Sequence, residues 1–313
     1  MIKQTLTVEL PEGTSERADR YIARKEILTR GQIKARDLHI YDREGGRELK
    51  LSLKVKKGDS LFLEWQEEEE HSLEPEKLDL PIIYEDSRVV VINKPRGMVV
   101  HPAVGNWTGT VVQGLLYHNK EMAGEFAEEG EGNEPGRPGI VHRLDKDTTG
   151  VLVTAKDRDA LEELSEQFRE RETEKIYLAV IKGAPPSSTG TIEGYMVRDK
   201  RDRKKFTLTR EERGKWSCTD YVVRERFDKF SLLELRIHTG RTHQIRVHMK
   251  SLNKPILGDP IYGRKDNNFP EAPLMLHSWK LTLNLPGEEE PHTFEAPLPE
   301  DFEALLNKLR ELT

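Results

Sequence analysis

Several familiar chemistries have no foothold in this sequence. Among 313 residues there is one cysteine, Cys218, which excludes an internal disulfide and a cysteine-based metal cluster and fits a reducing compartment. No apolar run approaches membrane-spanning length, and the start, MIKQTLTVEL, carries no basic-then-apolar signal pattern. There is no glycine-rich phosphate loop, no dinucleotide fingerprint and no GxSxG elbow. No repeat is present. The expectation is a cytoplasmic, membrane-free protein that works without cofactor or metal.

Charge is abundant. Charged residues make up 34% of the chain and the net charge is −6, which argues against a nucleic-acid partner if taken whole. The distribution reverses that argument. Residues 66–80 hold seven acids against one base, residues 118–136 six against one, and the tail from 286 eight against two. Outside these three tracts the chain is a basic body with a net charge of +11.

Hydrophobic patterning predicts a small α+β domain over residues 1–66, an acidic solvated linker over 67–80 and a larger domain over 81–313. In the first domain a short helix is expected at 17–23 and a second at 29–34, with Thr29 as its cap. Leu49, Leu51, Leu53 and Val55 alternate as a strand, and Leu61, Leu63 and Trp65 as another. In the second, a hairpin is expected at 82–92, a helix capped by Thr108 through Leu116, and a loop over 121–136. An Asp157-capped helix and strands at 175–180, 233–237 and 274–285 follow. A helix is expected at 241–249, and an amphipathic one closes the chain.

The stretch at 137–156, RPGIVHRLDKDTTGVLVTAK, places Asp145 between a basic dipeptide, His142-Arg143, and an apolar strand. An enzyme can hold an acid ionised and aimed in this way. On pattern alone, a hairpin with a capping aspartate is at least as good a reading. At helical spacing Thr242, Ile245, Arg246 and Met249 share a side, so Arg246 would sit among apolar neighbours and need an anion. Asp145 is a natural candidate, and a surface arginine is the competing one. Two prolines and a glycine restrain NKPRGMVVHP (93–102), which carries Lys94, Arg96 and His101. RDKRDRKK (198–205) is the strongest basic run. It is either solvated or set to meet phosphates.

Rival motifs fail on their details. DxDxT at Asp145–Thr149 is a phosphotransferase signature, but His142 and Arg143 interrupt the expected strand. As a calcium loop the same residues end on Lys156 where a bidentate Glu is required. His238, His243 and His248 fall on different sides of a turn and helix, with no carboxylate expected to complete a metal set.

Six segments in order resemble the RluA-type RNA pseudouridine synthases, near the ribosomal large-subunit members. They are NKPRGMVVHP (93–102), RPGIVHRLDKDTTGVLVTAK (137–156), EKIYLAVIKG (174–183), TGRTHQIRVHM (239–249), PILGDPIYG (255–263) and LMLHSWKL (274–281). Thr149 stands where serine is usual. Residues 1–66 resemble the small RNA-binding domain named after ribosomal protein S-four, with a shortened basic second helix. The resemblance implies an α+β fold with a large mixed, mainly antiparallel sheet flanked by helices and loops. It also implies isomerisation of uridine to pseudouridine in structured RNA, with large-subunit ribosomal RNA ahead of transfer RNA. A non-catalytic RNA-binding assembly factor and an aspartate-dependent nucleoside hydrolase are the alternatives. The resemblance makes Asp145 the catalytic carboxylate, Arg246 its counter-ion and Tyr177 the ring against the base. Arg143, assisted by His142, is expected to fill the space of a flipped base. Lys94, Arg96, His101, Arg203, Lys204, Lys205 and Arg241 are expected on phosphates. No metal or cofactor is implied, and a monomer is expected.

Overall fold

The computed structural model describes residues 1–66, 73–103, 105–126, 138–202 and 204–312. The chain divides into two compact units, Met1–Ser72 and Leu73–Thr313.

The smaller unit runs β1 (Ile2–Thr7), β2 (Ser15–Arg17), α1 (Ala18–Arg24), α2 (Arg30–Ala35), β3 (His39–Tyr41), β4 (Glu48–Leu49), β5 (Lys54–Lys56) and β6 (Ser60–Trp65). Thr29 and Gln32 form the reciprocal capping pair that starts α2. The strand expected from Leu49 to Val55 is broken. The carbonyls of Leu51 and Leu53 turn aside to accept the first amides of α1, from Asp19 and Ala18, at 3.0 and 2.8 Å. Helix-start amides have no partner within their own helix, and that need outweighs continuous pairing here.

The larger unit runs β7 (Ile82–Glu85), β8 (Val89–Lys94), α3 (Val111–His118), α4 (Lys120–Glu125), β9 (Thr149–Ala155), α5 (Arg158–Glu170), β10 (Glu174–Lys182), β11 (Thr189–Arg198) and β12 (Phe206–Thr209). It continues with β13 (Lys215–Arg226), β14 (Phe230–Ile237), α6 (Gln244–Ser251), β15 (Leu276–Asn284), β16 (Pro291–Glu295) and α7 (Glu300–Glu311). Ten strands form one sheet in the order β12-β11-β13-β14-β10-β15-β9-β8-β7, with β16 also on β15. Among the described residues only β15 and β9 pair in parallel. The expected mixed, mainly antiparallel sheet is the one observed.

Three sequence expectations in this unit are corrected. Thr110, not Thr108, caps α3, because the amides of Val111 and Val112 are already taken by the carbonyls of Val99 and Val100. Residues 121–125, read as loop, are helical in α4 under an Asn119 cap, with Met122 and Phe126 in the core; residues 127–137 lie outside the described residues. Residues 73–80, read as the end of a solvated linker, pack on the larger unit. Leu73 and Leu80, half-buried, pack against its core, and the Glu76 carboxylate accepts from the Gly109 amide at 2.7 Å. Acidic composition hid two leucines with places to go.

β9 is the strand that positions the site. All seven of its residues are buried: Leu152 packs into the core shared with α3, α6 and α7, while Val151, Val153 and Ala155 join the core under α5. Burial on both faces explains a run richer in β-branched residues than a half-exposed strand needs. Gly150 sits at φ 110° against Ser278 of β15, and a Cβ there would lie 2.1 Å from the Ser278 carbonyl oxygen. Only glycine fits. Gly150→Ala should therefore lower unfolding stability by at least about 3 kcal/mol in urea titrations. An unchanged midpoint would show that the two strands part easily here.

Candidate active site

Asp145 lies in the turn entering β9, where the Thr148 amide bonds back to its carbonyl at 3.1 Å. That turn is held by the 93–102 loop. Lys94 is fully buried, and its Nζ donates to the carbonyls of Pro95, Met98 and Lys146 at 2.9, 2.8 and 3.0 Å. Burial pulls its pKa down to about 7, against the opposing charges of Asp147 and Asp145. Arg96 donates to the carbonyls of Asp147 and Leu274 and pairs with Asp301. The Gly97 amide adds a bond to the Lys146 carbonyl at 3.0 Å. Lys94 and Arg96 were expected on phosphates. Their donors are instead spent on the backbone of the Asp145 turn, because a loop with so many inward carbonyls needs buried donors.

Across from the turn, α6 presents Arg246. The side chain is 5% exposed and grips Asp259 with two parallel bonds, Nε–Oδ2 at 2.8 Å and Nη2–Oδ1 at 2.9 Å. Its remaining nitrogen, Nη1, reaches Asp145 Oδ2 at 3.1 Å. Burial disfavours the guanidinium charge, but the hydrogen bonds and charge of Asp259, with a further share from Asp145, outweigh it and raise Arg246 above its ordinary value. Burial likewise opposes the Asp259 charge. Arg246 and the amides of Tyr262 and Ile261 overcome it and hold that carboxyl below its ordinary value.

The expected Arg246–Asp145 pair is thus present, within a triad that sequence reasoning did not foresee. Asp259 entered the sequence reading only as part of the PILGDPIYG segment. The constrained PILGDPIYG loop was a usable signal, because a buried arginine with three directions of donors needs more than one acceptor.

His243 is a second omission. It starts α6 at φ 59°, a left-handed conformation unusual for a non-glycine residue. Its Nδ1 lies 2.9 Å from the Tyr262 hydroxyl, which already accepts from the Phe206 amide at 2.9 Å. The other ring nitrogen, Nε2, lies 3.8 Å from Asp145 Oδ2. Burial lowers the His243 pKa, while Asp145 pulls the other way.

Tyr177 projects from β10 into the same cavity, which Arg143, Leu144, Asp145, Arg241, His243 and Arg246 also line. The ring is 7% exposed, and burial pushes its hydroxyl up to about 12, with Ser278 as its hydrogen-bond partner and the Asp145 charge adding to the rise. Arg143 is exposed at the cavity, and Arg241 is tied to the Trp216 carbonyl at 3.0 Å. The cavity accordingly combines a carboxylate held at one oxygen, a flat ring and peripheral cations.

Other expected residues lie elsewhere. His142 stacks on Phe168 with centroids 4.6 Å apart, and its Nε2 accepts from the Val153 amide at 3.1 Å. Burial, then Lys175, pulls its pKa down to about 3. It is a neutral packing ring and does not line the cavity, which corrects its assignment to base flipping. His101 Nδ1 lies 2.9 Å from the Pro102 carbonyl. Lys204 is exposed and Lys205 pairs with Asp202 at 3.3 Å; Arg203 lies outside the described residues. Of the three histidines weighed as a metal set, His248 is buried against Ser217 and His243 faces Asp145. His238 does have a carboxylate beside it, Asp220 at 2.7 Å, contrary to expectation. Thr149, in the place of the usual serine, uses its hydroxyl to bond His277 Nδ1 at 2.8 Å.

If Asp259 is what orients Arg246, Asp259→Asn should destabilise the fold by about 3 kcal/mol, since it removes one charge from a buried pair. Denaturant midpoints of the two proteins test this, and equal midpoints would reduce Asp259 to a bystander.

The chain matches the family model described as RNA pseudouridylate synthase over residues 88–251. It is 44% identical over 311 residues to ribosomal large subunit pseudouridine synthase D of Borreliella burgdorferi, covering 98% of this chain and 92% of that one. It is 42% identical to an uncharacterized RNA pseudouridine synthase of Bacillus subtilis, over 96% of both chains. Among solved structures, human RNA pseudouridylate synthase domain containing 4 superposes with a TM-score of 0.57 at 30% identity. That match covers 74% of this chain and 93% of the human one. The chain belongs to the RNA pseudouridylate synthase family, in its RluA type.

Proposed function

We propose that this chain, as a cytoplasmic monomer, converts uridine to pseudouridine at defined positions of large-subunit ribosomal RNA, with Asp145 as its catalytic carboxylate. The observation carrying this reading is the Asp145–Arg246–Asp259 arrangement at a cavity that Tyr177 also lines. The reaction breaks the bond from ribose C1′ to uracil N1, rotates the base and joins C1′ to C5. C5 loses a proton and N1 gains one, so no atom enters or leaves overall. Asp145 supplies the negative charge that stabilises or traps the electron-poor intermediate. Arg246 aims that carboxylate through one bond while Asp259 fixes the guanidinium through two. Tyr177 offers its ring to the uracil. With its hydroxyl at about 12, it is a poor resting base for the C5 proton.

A paired base cannot reach such a cavity, so the uridine must leave its stack at a cost of a few kcal/mol. Arg143, exposed beside Asp145, takes the vacated space. Arg241, Lys204 and Lys205, with His101 and Arg203, follow the phosphates. These contacts set position rather than sequence, and they make affinity fall with salt. The smaller unit, by its S-four-like pattern, adds RNA affinity. Asp145→Asn should abolish tritium release from RNA labelled at uridine C5 while RNA binding persists, and a variant that still turns over would end the assignment. Release of free uracil by the unaltered chain would instead favour the hydrolase reading. Arg143→Ala should slow modification of a uridine in a folded RNA more than of the same uridine in an unstructured oligonucleotide. Equal slowing on the two substrates would count against a role in flipping.

A further inference from the structure

Away from the cavity, the sheet brings together the chain's one thiol, an imidazole and a carboxylate. Cys218 and Asp220 are two residues apart on β13 and so share a face. His238 follows the last residue of β14, and its amide bonds the Cys218 carbonyl at 3.1 Å, which sets it directly across from the thiol. The ligand-type atoms of Cys218, Asp220 and His238 all lie within 4.8 Å of one another. We propose that these three side chains form a zinc-type transition-metal site that staples β13 to the end of β14.

Donor chemistry selects the ion class. Thiolate, imidazole and carboxylate together suit Zn²⁺ or Co²⁺ in a tetrahedral site, whereas Mg²⁺ and Ca²⁺ prefer oxygen alone. Tetrahedral zinc keeps its nitrogen and oxygen ligands about 3.3 Å apart. The present His238–Asp220 separation of 2.7 Å is a direct hydrogen bond, which the ion would replace by a small opening of two side chains. Each of those side chains keeps 43% of its surface exposed, so an ion can enter.

The surroundings support ligation. Thr191 Oγ1 donates to Asp220 Oδ1 at 2.6 Å, leaving Oδ2 turned toward His238. An outer hydroxyl of this kind fixes a carboxylate ligand. The Cys218 backbone is held on both sides: its amide bonds Thr239 Oγ1 at 3.1 Å, and its carbonyl also accepts from Gln244 Nε2 at 2.9 Å. Glu193 of β11 stands directly opposite Cys218 in the sheet register, outside the group of three, so the fourth position is left to water or to a swing of that side chain. Because the chain leaves β14 through His238 and Thr239 to the cavity residues Gly240 and Arg241, the staple would fix the strand end from which the cavity rim departs.

The test is titration of the reduced, full-length protein with Co²⁺ and then Zn²⁺. One equivalent of Co²⁺ should give a thiolate-to-cobalt charge-transfer band that Zn²⁺ abolishes, and Zn²⁺ should raise Tm relative to chelator-treated protein. Cys218→Ser should lose the band, and His238→Gln should weaken Zn²⁺ binding at least tenfold. Both variants should retain the Tm of the metal-free parent, which separates lost ligation from misfolding. Co²⁺ binding without a thiolate band, affinity unchanged in both variants, or no stoichiometric binding would each overturn the site and leave His238–Asp220 an ordinary ion pair.

Discussion

Everything at the cavity depends on how a buried guanidinium is satisfied. Arg246 comes from a helix, Asp259 from an irregular loop 13 residues on, and Asp145 from a turn before a central strand 101 residues earlier. Removing the guanidinium would leave two carboxylates without their shared cation; removing Asp259 would leave the cation with one of its two carboxylates. The desolvation cost of such charges is several kcal/mol each, and it is offset only when geometry is good and every donor is used. Here the bidentate grip on Asp259 consumes two donors and leaves one aimed at Asp145. The structural pair fixes the direction of the third bond. Asp145, with 19% of its side chain exposed, keeps enough freedom to meet a substrate.

A second layer of the same logic holds the turn. Lys94 and Arg96 donate into the Asp145–Lys146–Asp147 segment from the 93–102 loop. Cations near a cavity in a protein of an RNA-modifying family invite assignment to phosphates, yet a fully buried lysine whose pKa has fallen to about 7 is an internal brace. The physical difference is where the chain's carbonyls point, and that follows from backbone turns which residue types constrain only loosely. The prolines and glycine of the loop were readable as rigidity. What the rigidity served was not.

Much of the architecture was legible for definite reasons. Amphipathic spacing gave α5 and α7, capping chemistry gave the starts of α2 and α5, and runs of β-branched residues gave β8 and β9. The six ordered segments carried the family, since each is tied to an element that builds the cavity. Misreadings arose where long-range hydrogen bonding overrode local pattern. Leu51 and Leu53 left their strand to cap α1, Val111 and Val112 moved a helix start by bonding Val99 and Val100, and the acidic 73–80 segment laid two leucines against the core. His142 was misplaced because its neighbour Arg143 does line the cavity, whereas the His142 ring is drawn away by the Val153 amide and the Phe168 ring. The partner ring, Phe168, lies on α5 and gives no sign at the motif itself.

Side-chain alternation organises the end of β14. Ile237 lines the cavity, and His238 turns to the other face to meet Asp220 and the row that contains Cys218. One strand end thus carries an apolar wall of the cavity on one side and a cluster of potential ligands on the other. The segment leaving it must place Arg241 at the rim, and its backbone is already restrained by Thr239 and Gln244. A strand held through both faces transmits little slack, so a contact on the outer face bears directly on how firmly the rim is held. A basic body supplies attraction over a Debye length of about 8 Å at physiological salt. Control at shorter range must come from restrained backbone, and this strand end is restrained on both faces.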